Sequence, residues 1–250
     1  KTLKLPFDIH GGGIDLIFPH HENEIAQTCG AHGENRDPKF FSRYWLHNAM
    51  LNMNGEKMSK SLGNIFYIRD FLKEQPGEVL RLALLSGHYR QPLNWTDDTI
   101  DQARSILDRL YRVLKKTEEV PLDKDKLNKP PQKVLEALCD DLNTSRALAE
   151  LNEIAGKLST ADNTQKEGLK SDLISAGHLL GILQSSADEW LGIGQVQSNI
   201  DKDTIEKLIK EREEARISKD FSKADEIRSN LSDMGIDIED TPKGTIWRSK

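Results

Sequence analysis

The stretch FDIHGGGIDLIFPHHENE, Phe7 to Glu24, decides how the front of this 250-residue chain folds. Its opening residues read as a short strand, Gly11–Gly13 as a glycine turn, and Ile14–Phe18 as an apolar run. From His20 the string HHENEIAQTCGAHG reads as a helix of a few turns, closed by Gly30 or Gly33. Further on, RYWLHNAMLNMNG is aromatic and apolar with a glycine end, the pattern of a strand or strand pair. The order β, α, β suits half of an α/β sheet domain.

Beyond Tyr67 the pattern becomes helical. TDDTIDQARSILDRLYRVLKKTEE places Ile100, Ala103, Ile106, Leu107, Leu110 and Val113 on one stripe, and Thr96 followed by two aspartates makes an acidic helix start. LNKPPQ is a linker. Three more helical strings, PQKVLEALCDDLN, TSRALAELNEIAGKLS and QKEGLKSDLISAGHLLGIL, complete an antiparallel bundle. Polar GIGQVQSN then marks a boundary. A helix pair broken near Ser218–Phe221 follows, and the tail IDIEDTPKGTIWRSK alternates like a hairpin with Lys243-Gly244 at its turn. The charge-rich stretch Lys207–Arg216 reads most simply as a solvated helix face.

The bulk numbers set limits. A hydrophobic content of 36% supports a real core in two or three domains. The net charge of −6 argues against indiscriminate nucleic-acid binding but allows a local basic patch. Cys29 and Cys139 form no disulfide framework and suit a reducing cytoplasm; Cys139, in a bundle helix, reads as a small core residue. No apolar run approaches the roughly 18 residues of a membrane span, and no signal peptide opens the chain.

Three strings could carry chemistry. NGEKMSKSLGN, Asn54 to Asn64, sets Lys57, Ser59, Lys60 and Ser61 on a glycine-bracketed loop; two ammonium groups there could fold over a polyphosphate, or simply stand in solvent. In PHHENE, His20 and Glu24 are four apart and share a helix face, so both could reach one metal ion, with His21 and Glu22 pointing elsewhere. The same string could equally be an acidic helix start. In HGGGIDL, the glycines permit close backbone approach to a ligand, and Asp15 could accept from ribose hydroxyls.

Together, FDIHGGGIDLIFPHHENEIAQ, YWLHNAMLNMNGEKMSKSLGN, SGHYRQPLNW, DDLNTSRAL and MGIDIEDTPKGTIWRSK closely resemble cysteinyl-tRNA synthetase, a class I aminoacyl-tRNA synthetase, over essentially the whole chain. The resemblance implies a fold of α/β plus mostly α type: the C-terminal half of a Rossmann-type catalytic domain (residues 1–66), connecting stem-contact helices (67–120), a helical bundle of the DALR anticodon-binding type (121–195) and a small C-terminal α/β anticodon-recognition domain (196–250). It implies activation of L-cysteine by ATP, with Mg2+, to cysteinyl-adenylate and transfer to the 3′ end of tRNA(Cys) in the cytoplasm by a monomer. Lys60 is implied to contact ATP with Lys57 as its partner, Gly13 and Asp15 to sit by the adenosine ribose, and His10 to lie near the amino-acid carboxylate. His20 and Glu24 match two of four ligands of a zinc ion that binds the substrate thiolate, which would reject serine without an editing domain.

For anticodon bases the candidates are Arg216, Asp225, Arg228 and Asp240, while Trp247 could stack on a base or be structural. The family's His-Ile-Gly-His motif and its two cysteine ligands are absent, and in the family both lie upstream of the position matching Lys1. The expectation is a piece that is inactive alone and binds zinc weakly. Two other readings remain: the related cysteine ligase of mycothiol synthesis, and a tRNA-binding module without catalysis.

Overall fold

The computed structural model describes residues 4–32, 38–58, 63, 65, 67–193, 202–241 and 244–249. Strand β1 (Phe7–Gly13) pairs in parallel with β2 (Ser42–Asn48), Phe7 opposite Ser42 and Gly13 opposite Asn48, and helix α1 (Glu22–His32) lies in the connection. This is the crossover unit the β, α, β order calls for, because parallel neighbours need a long connection. The three glycines are not a turn, contrary to the reading from sequence. They are the last three residues of β1. The chain turns only after them, through a 3-10 segment at Ile14–Leu16 and a π-helical segment at Ile17–His21 with Phe18 extended inside it.

A second small sheet has β3 (Leu51–Met53) at its centre, antiparallel to β4 (Glu56–Lys57) and parallel to β5 (Leu93–Trp95). Asn54 and Gly55 connect β3 to β4 with φ of 50° and 84°. Two successive left-handed residues are what an Asn-Gly hairpin turn needs to match strand twist. Lys57 therefore stands on a short edge strand rather than in the loop proper. Between β4 and β5 come α2 (Ile68–Phe71) and α3 (Gly77–Leu85), and α3 starts behind Pro76.

Helix α4 (Asp97–Lys116) begins as its sequence predicts, with Thr96 Oγ1 accepting from Thr99 N at 3.2 Å. It buries Ala103, Leu107, Leu110 and Tyr111, a three- and four-residue spacing that turns one face inward. Helices α5 (Lys124–Leu127), α6 (Gln132–Cys139), α7 (Thr144–Thr160), α8 (Asn163–Leu180) and α9 (Ala187–Leu191) complete the bundle. A single buried cluster runs from Phe71 and Val79 through Trp95 and α4 to Leu180 and Leu183, with Leu51 and Met53 packed on it. Helices on both sides of residue 120 thus share one core, and so does the β3–β5 sheet. Cys139 is exposed, not a core residue: α6 buries Val134 and Ala137, and a residue two further on points away from that stripe.

The C-terminal unit has α10 (Lys202–Ile217), α11 (Phe221–Asp233) and an antiparallel hairpin of β6 (Ile236–Thr241) and β7 (Gly244–Ser249). The helix pair breaks where expected; Lys219 adopts φ of 62° and Asp220 caps α11 by accepting from Lys223 N at 3.1 Å. Thr241 pairs with Gly244, which opens β7; Lys243, the other residue of the expected turn, lies outside the described residues. A separate core holds Ile205, Ile209, Ile227, Leu231, Ile236, Ile238 and Trp247, which makes Trp247 structural. Among the described residues no helix is long and apolar enough to cross a membrane.

Candidate functional site

Alternation along the paired strands puts His10, Trp45 and His47 on one face, which Glu24 of α1 and His21 approach. Four imidazoles, of His10, His20, His21 and His47, and the Glu24 carboxylate meet there. His10 Nε2 lies 3.2 Å from Glu24 Oε2, and His20 Nε2 lies 3.5 Å from Glu24 Oε1, the reach that i, i+4 spacing gives. His21 is buried, contrary to the expectation that it points elsewhere. Its Nδ1 is 2.9 Å from His47 Nε2, and its ring stands edge-on to His10 at 4.8 Å between centroids. Burial, then the neighbouring imidazoles of His10 and His47, hold His21 below the usual histidine range.

The glycine run makes this approach possible. A Cβ on Gly12 would sit 2.8 Å from His21 Cε1, and one on Gly13 would sit 2.5 Å from Asp15 Oδ1. Only a residue without Cβ lets both side chains lie against the strand end. Glu24 Oε2 is buried and accepts no hydrogen bond among the described residues. The donor atoms of His10, His21 and Glu24 all lie within 4.8 Å of one another. His20, whose side chain is 60% exposed, touches the same carboxylate from its open side.

All of this sits at the carboxyl end of two parallel strands, where open α/β sheets bind ligands. Lys57 reaches the same end: its Nζ is 3.9 Å from Asp15 Oδ2. The structure thus brings together two residues taken from separate strings. Ser59, Lys60 and Ser61 lie outside the described residues.

In the C-terminal unit, Asp240 is a hub. Arg212 donates to its two oxygens at 2.8 and 2.9 Å, Arg216 Nη1 lies at 2.7 Å, and Thr245 Oγ1 donates at 3.0 Å. These contacts, led by Arg212, hold the Asp240 carboxyl well below the usual carboxylate range. Asp225 and Arg228 are exposed on α11, and Asp225 adds its negative charge to the surroundings of Arg212. Sequence reasoning missed Arg212, which is buried, although it falls on the stripe of Ile205 and Ile209. It also missed Phe221, which is 63% exposed beside an 83% exposed Ile217, at the turn next to Arg216.

Three family models match successive parts of the chain. Residues 1–105 match the class I (C) tRNA synthetase catalytic domain, 133–184 the DALR domain, and 202–248 the cysteinyl-tRNA ligase anticodon binding domain. The cysteine–tRNA ligase of Parvibaculum lavamentivorans is 48% identical over 249 residues, covering 99% of this chain and 52% of that protein. That of Rhodospirillum rubrum is 48% identical over 244 residues, covering 97% and 52%. The chain therefore spans about half the length of the curated relatives it matches. Among solved structures, an Agrobacterium radiobacter K84 LeuRS in a ternary complex with tRNA and LeuAMS aligns over 94% of this chain and 36% of its own, at TM-score 0.54 and 20% identity. A Mycobacterium tuberculosis methionyl-tRNA synthetase bound by methionyl-adenylate aligns over 77% and 45%, at TM-score 0.50 and 19% identity. These two show a shared fold. By its three matched domains and its relatives, the chain belongs to the cysteinyl-tRNA synthetase family of class I aminoacyl-tRNA synthetases.

Proposed function

We propose that this chain is part of a cysteine–tRNA ligase, which forms cysteinyl-adenylate from L-cysteine and ATP and passes the cysteinyl group to tRNA(Cys). The observation that carries the reading is the meeting of Lys57 with Asp15 beside the His10–Glu24 pair, at one end of a parallel strand pair. Adenylate formation makes a new acyl–phosphate bond at the α-phosphorus and expels pyrophosphate. Lys57, and Lys60 three residues further along the chain, would offer ammonium groups to the leaving charge, and Ser59 and Ser61 hydroxyls. Asp15 and the Gly13 backbone receive the ribose, and His10 faces the amino-acid carboxylate.

His20 and Glu24 would hold a zinc ion. Nitrogen and oxygen donors 3.5 Å apart, and a buried carboxylate oxygen without a hydrogen bond, suit that role. Zinc, when bound, prefers a thiolate to a hydroxyl and so selects cysteine over serine. The family's two thiolate ligands are not matched by Cys29 or Cys139. Arg216 and Asp240 at the hairpin, with Asp225, Arg228 and the Phe221 ring, would meet unstacked anticodon-loop bases. The match of residues 202–248 to an anticodon binding domain favours tRNA over a small-molecule acceptor such as an amino-sugar inositol.

Pyrophosphate exchange with the full-length gene product tests the reading, run with cysteine, with serine and with no amino acid. Exchange that requires cysteine is expected. Exchange that favours serine, or needs no amino acid, would overturn it.

A further inference from the structure

The three-stranded sheet that carries Lys57 has two unlike faces. Its register sets Lys57 of β4, Asn52 of β3 and Asn94 of β5 side by side in one row, and Glu56, Met53 and Trp95 in the next. Successive rows point to opposite faces of a sheet. Met53 and Trp95 pack on the large core, where the Trp95 indole stands edge-on to Phe71 at 5.8 Å between centroids. The row of Lys57, Asn52 and Asn94 therefore faces away from that core, and Lys57 and Asn94 are both exposed.

The direction of β4 is set by the Asn54-Gly55 turn just before it. A two-residue turn leaves the N–H of each of its residues pointing out of the hairpin. Both are taken by β5. Asn54 N donates to Trp95 O at 3.1 Å, which prolongs the β3–β5 ladder, and Gly55 N donates to the side-chain oxygen Oδ1 of Asn94 at 2.7 Å. Asn94 is itself held, because its carbonyl accepts from Thr99 Oγ1 at 3.1 Å in the capped first turn of α4. The turn is thus referred, through one amide side chain, to the start of a 20-residue helix. Gly55 and Asn94 are exposed, so water could satisfy the same N–H. The bond adds little to stability for that reason. What it fixes is the set of the turn, and with it the strand that carries Lys57.

We infer that Asn94 is a positioning residue for adenylate formation: its side-chain oxygen holds the Asn54-Gly55 turn so that Lys57 stands at the strand end, 3.9 Å from Asp15. The inference rests on the ligase reading given above. In that step a carboxylate oxygen of the amino acid attacks the α-phosphorus. The bond from that phosphorus to its bridging oxygen breaks, and pyrophosphate leaves with the electron pair. An ammonium group assists only from the place where this negative charge grows. A strand of two residues has little rigidity of its own, so the hairpin depends on the outside bond. Asn94 acts through Lys57 and not on the reacting atoms.

The test is cysteine-dependent pyrophosphate exchange with the full-length gene product. It compares the wild type with Asn94→Ala, Asn94→Asp, Lys57→Ala and the double variant Asn94→Ala, Lys57→Ala, with thermal melting of each. Alanine removes the acceptor, whereas aspartate keeps an oxygen in the same place. Asn94→Ala should lower kcat about tenfold or more, with KM for cysteine unchanged and the melting temperature close to that of the wild type. Asn94→Asp should recover most of the rate. In the Lys57→Ala background the alanine change should cost nothing further, because the group it positions is gone. A full rate in Asn94→Ala, a loss that aspartate does not recover, or a loss that multiplies with that of Lys57→Ala would overturn the positioning role and leave the ligase reading standing. An Asn94→Ala protein that melts below the assay temperature would show the bond to be structural and would equally overturn it. Wild-type exchange that favours serine, or needs no amino acid, would overturn the ligase reading and this inference with it.

Discussion

Asp141 accepts from Arg90 Nε at 2.6 Å, from Arg90 Nη2 at 3.1 Å and from the Tyr89 hydroxyl at 2.7 Å. The α3–β5 connection is thereby fastened to the α6–α7 turn. Tyr89 in turn accepts on its carbonyl from Ala49 N at 2.8 Å, which extends the joint to the strands. Asp141 and Leu142 take φ of 52° and 54° to present the carboxylate. Arg90, then Tyr89, hold that carboxyl low, at about 2.

The depressed value gives a pH signature. A carboxyl held lower in the folded than in the unfolded state adds stability above its unfolded value, near 4, and that stability is lost as pH falls towards 2. Asp141→Asn keeps a side chain that tolerates the left-handed backbone but removes the charge. The wild type should melt higher than this variant at pH 6, and the gap should close between about pH 4 and pH 2. A gap in melting temperature that does not change over that range would contradict the ion-pair account.

Glu78 is a different kind of hub. It accepts from Tyr111 Oη at 3.0 Å, Leu183 N at 2.9 Å and Gln184 N at 2.8 Å, so it ties α3 to α4 and to the segment after α8. Glu78→Ala leaves these donors without an acceptor and should cost about 3 kcal/mol by urea unfolding.

The same contacts predict an alkaline effect. Burial, with Glu78 nearby, pushes the Tyr111 phenol above its ordinary value of 10. A group whose folded value is raised stabilises below the unfolded value and loses that contribution as pH climbs past it. Melting between pH 9 and 11 should fall more steeply for wild type than for Tyr111→Phe. Parallel curves would show that the phenol is not what titrates.

Arg212 and Asp240 should set the stability of the C-terminal unit. Arg212→Ala removes a buried guanidinium and two hydrogen bonds, an expected loss of about 1–3 kcal/mol, read as faster amide exchange in β6 and β7. Arg212→Lys should rescue little, because an ammonium cannot make the paired bonds. Full protection in the alanine variant would show that the hairpin does not depend on this pair.

Two glycines make a matched comparison. A Cβ at Gly12 meets the His21 ring, whereas one at Gly30 in α1 meets nothing within 4 Å. Gly12→Ala should destabilise by about 1–3 kcal/mol as the ring is displaced. Gly30→Ala should stabilise by about 0.5–1 kcal/mol through helix propensity. Equal melting temperatures for the two variants would show that His21 does not lean on β1.

Some of this was legible in the sequence. The α4 stripe, its Thr96 cap, the β, α, β order and the break before Phe221 all follow local rules, and each stands in the structure. His20 and Glu24 meet because i, i+4 geometry needs no tertiary knowledge. His21 was misread because the segment Ile17–His21 winds as a π-helix, so a regular helical wheel gives the wrong direction. Gly12 was read as a turn because glycine runs usually are turns, whereas here the absent Cβ makes room for a ring from another element. Arg212 hid inside a charged run, even though its spacing from Ile205 and Ile209 marks the buried stripe. Cys139 was placed in the core by residue type when its phase relative to Val134 and Ala137 says otherwise.

The four tryptophans are distributed so that each setting described above carries a chromophore. Trp45 lies among His10, His21 and His47, Trp95 and Trp190 belong to the large cluster, and Trp247 to the small one. Chains that retain one indole at a time would give optical signals that separate events at the histidine nest, melting of the bundle and opening of the hairpin, without any added label.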